Sequence, residues 1–295
     1  MERTRQIKNP DLIITSDWHL REDIPTCFTG DFQKEQWDSV NFVKQLQAKY
    51  NCPVVHAGDL FHHWKPSPWL LSQTIDLLPK QFYSIYGQHD LPQHNWELRR
   101  KSGLYTLSIA GKLTRINDGN YGQEIKDVDG LILSFVKERT IRILVWHHLT
   151  YINPPFPDVT GGNAMSILKK YSQFDLIITG DNHQSFFTEC KGRLLINPGS
   201  LTRQTADQMD FQPHVALWYA KTNIIEWVNI PIQQGVITRE HIEKAEQRDG
   251  RIDAFISRLN KEYEIGMSFE QNLEVFLSQN QIRESVKNII YKSIE

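Results

Sequence analysis

Residues 11–19 read DLIITSDWH, and residues 175–183 read DLIITGDNH. The two stretches differ at two positions, Ser16 against Gly180 and Trp18 against Asn182. In each, a short apolar, β-branched run stops at an aspartate, one further residue and a histidine. Such a run predicts a strand buried on both faces, as in a parallel sheet. Ligands collect just beyond the carboxyl ends of these strands. The echo therefore delivers two Asp-x-His loops to one edge of a sheet.

Working outward, residues 32–49 place Trp37, Val40, Val43 and Leu46 three apart with Phe42 beside them, which predicts one face of a helix. CPVVHA (52–57) predicts a second strand, and strand–helix–strand order implies right-handed parallel crossovers. FYSIY (82–86), LILSF (131–135), IRILVW (141–146) and RLLIN (193–197) are further strands. VALWYA (215–220) and NIIEWVNI (223–230) predict an antiparallel hairpin. After Pro231 strand signals stop. Residues 250–294 carry helical periodicity, with an S-x-x-Q capping pattern at Ser268 and Gln271 and an apolar stripe of Ile282, Val286, Ile289 and Ile290. The boundary falls between 231 and 250, dividing the chain into a main domain, 1–232, and a helical cap or partner-docking segment, 233–295.

Composition agrees with an ordinary globular α/β protein: 40% hydrophobic, 23% charged and 11% aromatic over 295 residues, with a net charge of −2. That balance excludes a disordered chain and a uniformly basic nucleic-acid coat, but not a local basic groove. Cys27, Cys52 and Cys190 form no C-x-x-C pair, as expected of reduced thiols. MERTRQIKNP lacks the apolar core of a signal peptide, and no apolar run reaches membrane-spanning length. The expectation is a cytoplasmic protein without a membrane partner.

Five segments share one form, an apolar strand followed at once by acid, histidine or amide. They are Asp17 and His19; Gly58 and Asp59; Gly87, Gln88, His89 and Asp90; His147 and His148; and Gly180, Asp181 and His183. Any one alone is a turn or a hydrogen-bonded loop. Five in order, each at a strand end, point to a shared site. Carboxylates and imidazoles without thiols suit a hard or borderline divalent ion, Mn2+ first and Mg2+ second. Two ligand sets joined by one carboxylate describe a two-metal centre.

The series SDWH, GDLF, GQHD, a histidine after ILVW, and GDNH resembles the calcineurin-like metallophosphoesterase superfamily. HAGDLFHHWKPSPWLL (56–71) and NPGSLTRQ (197–204) are similar to the SbcD-type DNA repair exonucleases, including phage-encoded relatives that work in the host cytoplasm. The likeness covers about residues 11–230. It implies a two-sheet β-sandwich flanked by helices (αββα), here with a small helical C-terminal extension. It also implies that Asp17, His19 and His183 bind one metal, that Asp59 bridges, and that Gln88, His147 and Asp181 bind the other. Of the adjacent pair, His147 takes the family's single histidine position and His148 packs. His89 would stabilise or protonate the leaving oxygen, Asp90 would orient its ring, and His62 would help handle the strand. Two positions depart from the family pattern, Gln88 for asparagine and Asp181 for histidine; the second makes the site more anionic and favours hard ions over zinc.

The function so implied is metal-dependent hydrolysis of DNA phosphodiesters, as an exonuclease and also an endonuclease. Trp18, Trp64, Lys65, Arg99, Arg100 and Arg203 are expected nucleic-acid contacts, because rings stack on bases while Lys and Arg meet phosphates. An SbcC-type ATPase and a second copy of the chain are the expected protein partners. One alternative is hydrolysis of cyclic nucleotides or other small phosphoesters at the same centre. Another is a non-catalytic scaffold on the same fold, which should have lost metal ligands.

Overall fold

The structure is a computed structural model that describes residues 9–116, 129–136, 139–154, 159–261 and 269–292. Its elements run β1 (Leu12–Thr15), α1 (Phe32–Tyr50), β2 (Val54–His56), α2 (Pro68–Leu77), β3 (Phe82–Ser84), α3 (Gly103–Ile109), β4 (Thr114–Arg115), β5 (Asp129–Val136) and β6 (Arg139–Trp146). There follow β7 (Thr150–Tyr151), β8 (Gly162–Asn163), α4 (Ala164–Lys170), β9 (Leu176–Thr179), β10 (Phe186–Cys190), β11 (Arg193–Asn197), β12 (His214–Tyr219) and β13 (Ile224–Asn229). Three helices close the chain: α5 (Glu240–Lys261), α6 (Phe269–Gln279) and α7 (Glu284–Lys292).

One sheet has the order β13-β12-β1-β2-β3-β4 and the other β10-β11-β9-β6-β5. β1, β2, β3 and β4 are mutually parallel, as are β6, β9 and β11. The predicted 215–230 hairpin is β12 with β13, antiparallel from His214↔Asn229 to Tyr219↔Ile224.

Strand alternation sorts the apolar runs into layers. From β1, Ile13 joins Val40, Val43 and Leu46 of α1 in one cluster, while Leu12 and Ile14 meet Ile143, Ile178 and Ile196 of the second sheet in another. From β9, Ile177 packs with Leu195 and with Ala164 and Leu168 of α4. Both faces of both central strands are therefore buried, which is why their sequence reads as an unbroken apolar run. The result is the helix–sheet–sheet–helix sandwich that the sequence predicts. Even the leading aspartates behave alike. Asp11 accepts a hydrogen bond from the Ala220 amide (2.7 Å), and Asp175 accepts one from that of Arg142 (3.0 Å).

The described chain separates into two compact units, residues 1–238 and 239–295. In the second unit Leu273, Phe276 and Leu277 form a small core with Ile282 and Ile290 against it. The predicted apolar stripe is thus divided, because Val286 and Ile289 of α7 are exposed. The Ser268 cap lies outside the described residues. No helix among the described residues is long and apolar enough to cross a membrane.

Candidate metal centre

β1, β2, β6 and β9 stop at one edge of the sandwich, and the loops that follow them carry the site. Asp17, His19, Asp59 and Asp181 all adopt left-handed backbone conformations, with φ between 44° and 72°. Non-glycine residues rarely hold that region, and such strain gathers at functional sites. The loops are tied together: the amide of Asp17 donates to the carbonyl of Gly58 and that of His19 to the carbonyl of Asp59, both at 3.0 Å. Gly58 turns the chain at φ +98°, and a Cβ there would lie 2.6 Å from Nδ1 of His147. A Cβ on Gly87 would lie 2.1 Å from Oδ1 of Asp59. Both glycines are therefore needed for the carboxylate and imidazole to approach.

The side chains fall into three overlapping sets, one of them the histidines His19, His62 and His89. Asp17, His19 and His183 present ligand atoms within 4.8 Å of one another, and so do Asp17, Asp59 and His147. Oδ2 of Asp59 lies 3.7 Å from Nε2 of His19 and 3.2 Å from Nε2 of His147. That carboxylate stands between the two Asp–His sets, where a bridge belongs. Gln88 reaches the second of these, its Nε2 donating to Oδ1 of Asp181 at 2.5 Å, and the same oxygen lies 4.0 Å from His147. His147 Nδ1 donates to the carbonyl of Ala57 (2.7 Å), which turns Nε2 toward Asp59. This backbone partner leaves no mark in the sequence. His148 instead stacks flat on Trp146, ring centres 4.0 Å apart.

Charge and burial sharpen the picture. Burial opposes a proton on His147, but Asp59 beside it outweighs burial and pushes its pKa up to about 10. Burial opposes a proton on His19 too, and there Asp17 and Asp59 hold the ring above its usual value. Burial favours neutral carboxyls at Asp17 and Asp59, yet the neighbouring histidines hold both below the usual carboxylate range. Burial lowers the pKa of His183.

The fit to divalent cations rests on buried polar atoms crowded against one another. Oδ2 of Asp59 and Nε2 of His147 are buried and make no hydrogen bond. Nε2 of His19 and Nε2 of His183 face each other at 3.2 Å. Buried polar groups are normally satisfied, and these nitrogen and oxygen donors converge where a hard or borderline cation would satisfy them.

His89 stands beside both Asp–His sets. Its amide donates to Oδ1 of Asp59 (2.8 Å), its Nδ1 donates to the carbonyl of His62 (2.8 Å), and its ring packs edge-on against His19 at 4.8 Å. The His62 ring stacks on His89 at 5.5 Å, and burial, together with Arg21 and the neighbouring histidines, pushes its pKa down to about 4.

Three sequence expectations need correction. Asp90 does not orient the His89 ring, which the His62 carbonyl holds. The buried Asp90 carboxylate accepts the amides of Leu60 (3.2 Å), Phe61 (3.2 Å) and Gly87 (3.1 Å), fastening two site loops together. Trp18 is fully buried, with Nε1 on Thr15 Oγ1 (2.7 Å) and its ring against Phe82, so it stacks on no base. Arg203 is also buried, donating to the carbonyl of Gln233 (2.5 Å) and lying 3.4 Å from Glu35, so it meets no external phosphate. The NPGSLTRQ stretch is instead a brace. The Leu201 amide donates to the Asp17 carbonyl (3.2 Å), and Gln204 Nε2 donates to that of His19 (3.2 Å).

Trp64 is half-buried beside His63, whereas Lys65 and Arg100 are exposed and Arg99 lies over the Trp96 ring. Arg203→Ala would leave the Glu35 carboxylate buried without its cation, at a cost of about 3–5 kcal/mol. Denaturant unfolding is expected to show that loss.

Gln88→Asn shortens the side chain that reaches Asp181 by a methylene but keeps its carbonyl. The change is expected to cost no more than about tenfold in turnover, the scale of one neutral hydrogen bond, with two cations still bound by elemental analysis.

The curated proteins contain no match to this chain. Solved structures do resemble it: an archaeal phosphodiesterase, at 16% identity and a TM-score of 0.41, covers 74% of this chain and 98% of its own. TT1561 of Thermus thermophilus, at 9% identity and a TM-score of 0.45, covers 75% and 98%. The sequence profile described as calcineurin-like phosphoesterase matches residues 11–185, the span that carries every loop of the Asp–His cluster. With that profile spanning more than half of the chain, this protein belongs to the calcineurin-like phosphoesterase family.

Proposed function

We propose that this phosphoesterase hydrolyses phosphodiester bonds in DNA, as an exonuclease with endonuclease capacity, and that Mn2+ is its preferred ion. The observation that carries the hydrolytic part is the placement of Asp59 between two Asp–His sets with His89 fastened to its other oxygen. Asp17, His19, His183 and Asp59 would hold one cation; Asp59, Gln88, His147 and Asp181 would hold the second. When bound, the cations neutralise the phosphate and make an acidified water available near neutral pH.

The chain's own residues do the rest. The Ala57 carbonyl and the Asp59 carboxylate fix the tautomer and aim of His147. His89, with Nδ1–H anchored on the His62 carbonyl, leaves Nε2 to carry a second proton, and as the imidazolium it would give that proton to the leaving oxygen and return to the neutral ring. The Asp90 carboxylate and the 201–204 brace keep these groups in register. Support for DNA over small esters comes from the likeness of residues 56–71 and 197–204 to SbcD-type nucleases. An SbcC-type ATPase partner belongs to the same reading.

Digestion of end-labelled linear DNA beside a chromogenic small phosphodiester, each with Mn2+ and with Mg2+, tests it. Release of nucleotides from DNA is expected, faster with Mn2+. Hydrolysis confined to the small ester would replace this reading with small-phosphoester turnover.

A further inference from the structure

A second concavity is built from side chains outside the metal centre. Tyr86, Trp96, Arg99, Arg100, Tyr105 and Arg115 line a cavity of about 350 Å3. Three guanidinium groups share it, and among the described residues no carboxylate pairs with any of them. Like charges gathered without a counter-ion repel one another, and they create a potential that attracts anions.

Two of the three are held in place by rings. The Arg99 guanidinium lies 4.7 Å from the centre of the Trp96 ring, and Nη1 donates to the Trp96 carbonyl (3.0 Å). The Arg115 guanidinium lies 4.9 Å from the centre of the Tyr105 ring, and Nε donates to Ser108 Oγ (2.8 Å). Trp96 packs edge-on against Tyr86 at 5.3 Å, which steadies the whole wall. Stacked guanidinium forks have already given up conformational freedom, so less is lost when they close on a ligand. Their planar donor pairs match phosphate oxygens.

Its place in the fold adds a direction. Tyr86 immediately precedes the Gly87–Asp90 loop that carries Gln88 and His89. Arg115 ends β4, and the next amide, Ile116, donates to the Ser84 carbonyl of β3. The cavity therefore opens at the carboxyl ends of β3 and β4, behind the loop that serves the metal centre.

We propose that this cavity binds the phosphate group of a nucleotide, either free or as one unit of a strand whose neighbouring phosphate lies at the metal centre. The strand-borne case rests on the DNA reading above; the phosphate site does not.

Calorimetry with dTMP, and anisotropy with a labelled oligothymidylate, test it on the full chain with its cations and again in EDTA. In EDTA the metal centre keeps its carboxylates and histidines but no cations, so only the affinity that arginine substitution removes belongs to the second cavity. Both probes are expected to bind in EDTA. R99Q/R100Q/R115Q should weaken both by about tenfold or more, and lower the salt slope for the strand by about 0.7 per phosphate released. Arg100 is exposed and supports no ring, so R100Q alone keeps the fold and should still weaken dTMP by about threefold, a share of a charge-assisted contact. Absence of dTMP binding in EDTA, or equal binding by R100Q and the triple variant, overturns the site. Arginine-dependent binding of dTMP without binding of the strand keeps the site and removes the DNA reading.

Discussion

Asp59→Asn is expected to abolish hydrolysis, by at least about 10³-fold, and to reduce bound Mn2+ from two ions to one or none. The factor corresponds to about 4 kcal/mol, the scale of charge stabilisation lost with a bridging ligand. The replacement is nearly isosteric. Asparagine can still accept the His89 amide through its oxygen, so the Gly87–Asp90 loop keeps its anchor. Its NH2 group, however, would take the place of Oδ2 and point a donor at Nε2 of His147 and Nε2 of His19, now 3.2 and 3.7 Å away. One negative charge is lost between two cation positions. The metal-free fold should lose stability, because the Asp59 carboxylate is the negative partner of the buried His147 and His19 rings.

Thermal unfolding separates the two effects. The metal-free variant should melt below the wild-type temperature, because it has lost the partner of His147, and the upward shift on adding Mn2+ should shrink as well, since a ligand stabilises only in proportion to its affinity for the native state. Wild-type turnover by the variant, or two ions still bound, would remove Asp59 from the bridge.

Much of the fold was legible because its central strands are buried on both sides. DLIIT twice over, and RLLIN, leave no solvent face to dilute the apolar run. The site loops were legible because they follow those strands directly. What stayed hidden depends on partners far along the chain or on backbone. Arg203 reads as a surface cation until Glu35, 168 residues away, is seen beside it. Trp18 stands between two polar site residues, yet the turn at Asp17 sends its ring into the helix-side core beside Phe82. Asp90 spends its carboxylate on three amide groups, which carry no residue type to recognise. In the second unit, helical periodicity is legible from residue 250, but α5 already starts at Glu240, where strong helix formers lack a regular apolar stripe to mark them.

His89→Ala carries the second large effect, of a different kind. Turnover is expected to fall by about 10²–10⁴-fold, the usual contribution of a positioned proton donor, while two ions per chain remain bound. The two readouts part because of how His89 is attached. Its amide donates to Oδ1 of Asp59, a bond alanine keeps, while its ring only packs edge-on against His19. What alanine removes is the ring, whose Nδ1 is fixed on the His62 carbonyl. A substrate whose leaving group departs without a proton offers the decisive control. Against a nitrophenyl ester, whose leaving phenolate is weakly basic, the variant should lose far less than against an alkyl phosphodiester such as DNA. Equal losses on both would mean that His89 stabilises charge or position instead of delivering a proton. Loss of both ions would mean that the ring belongs to the cation cage itself.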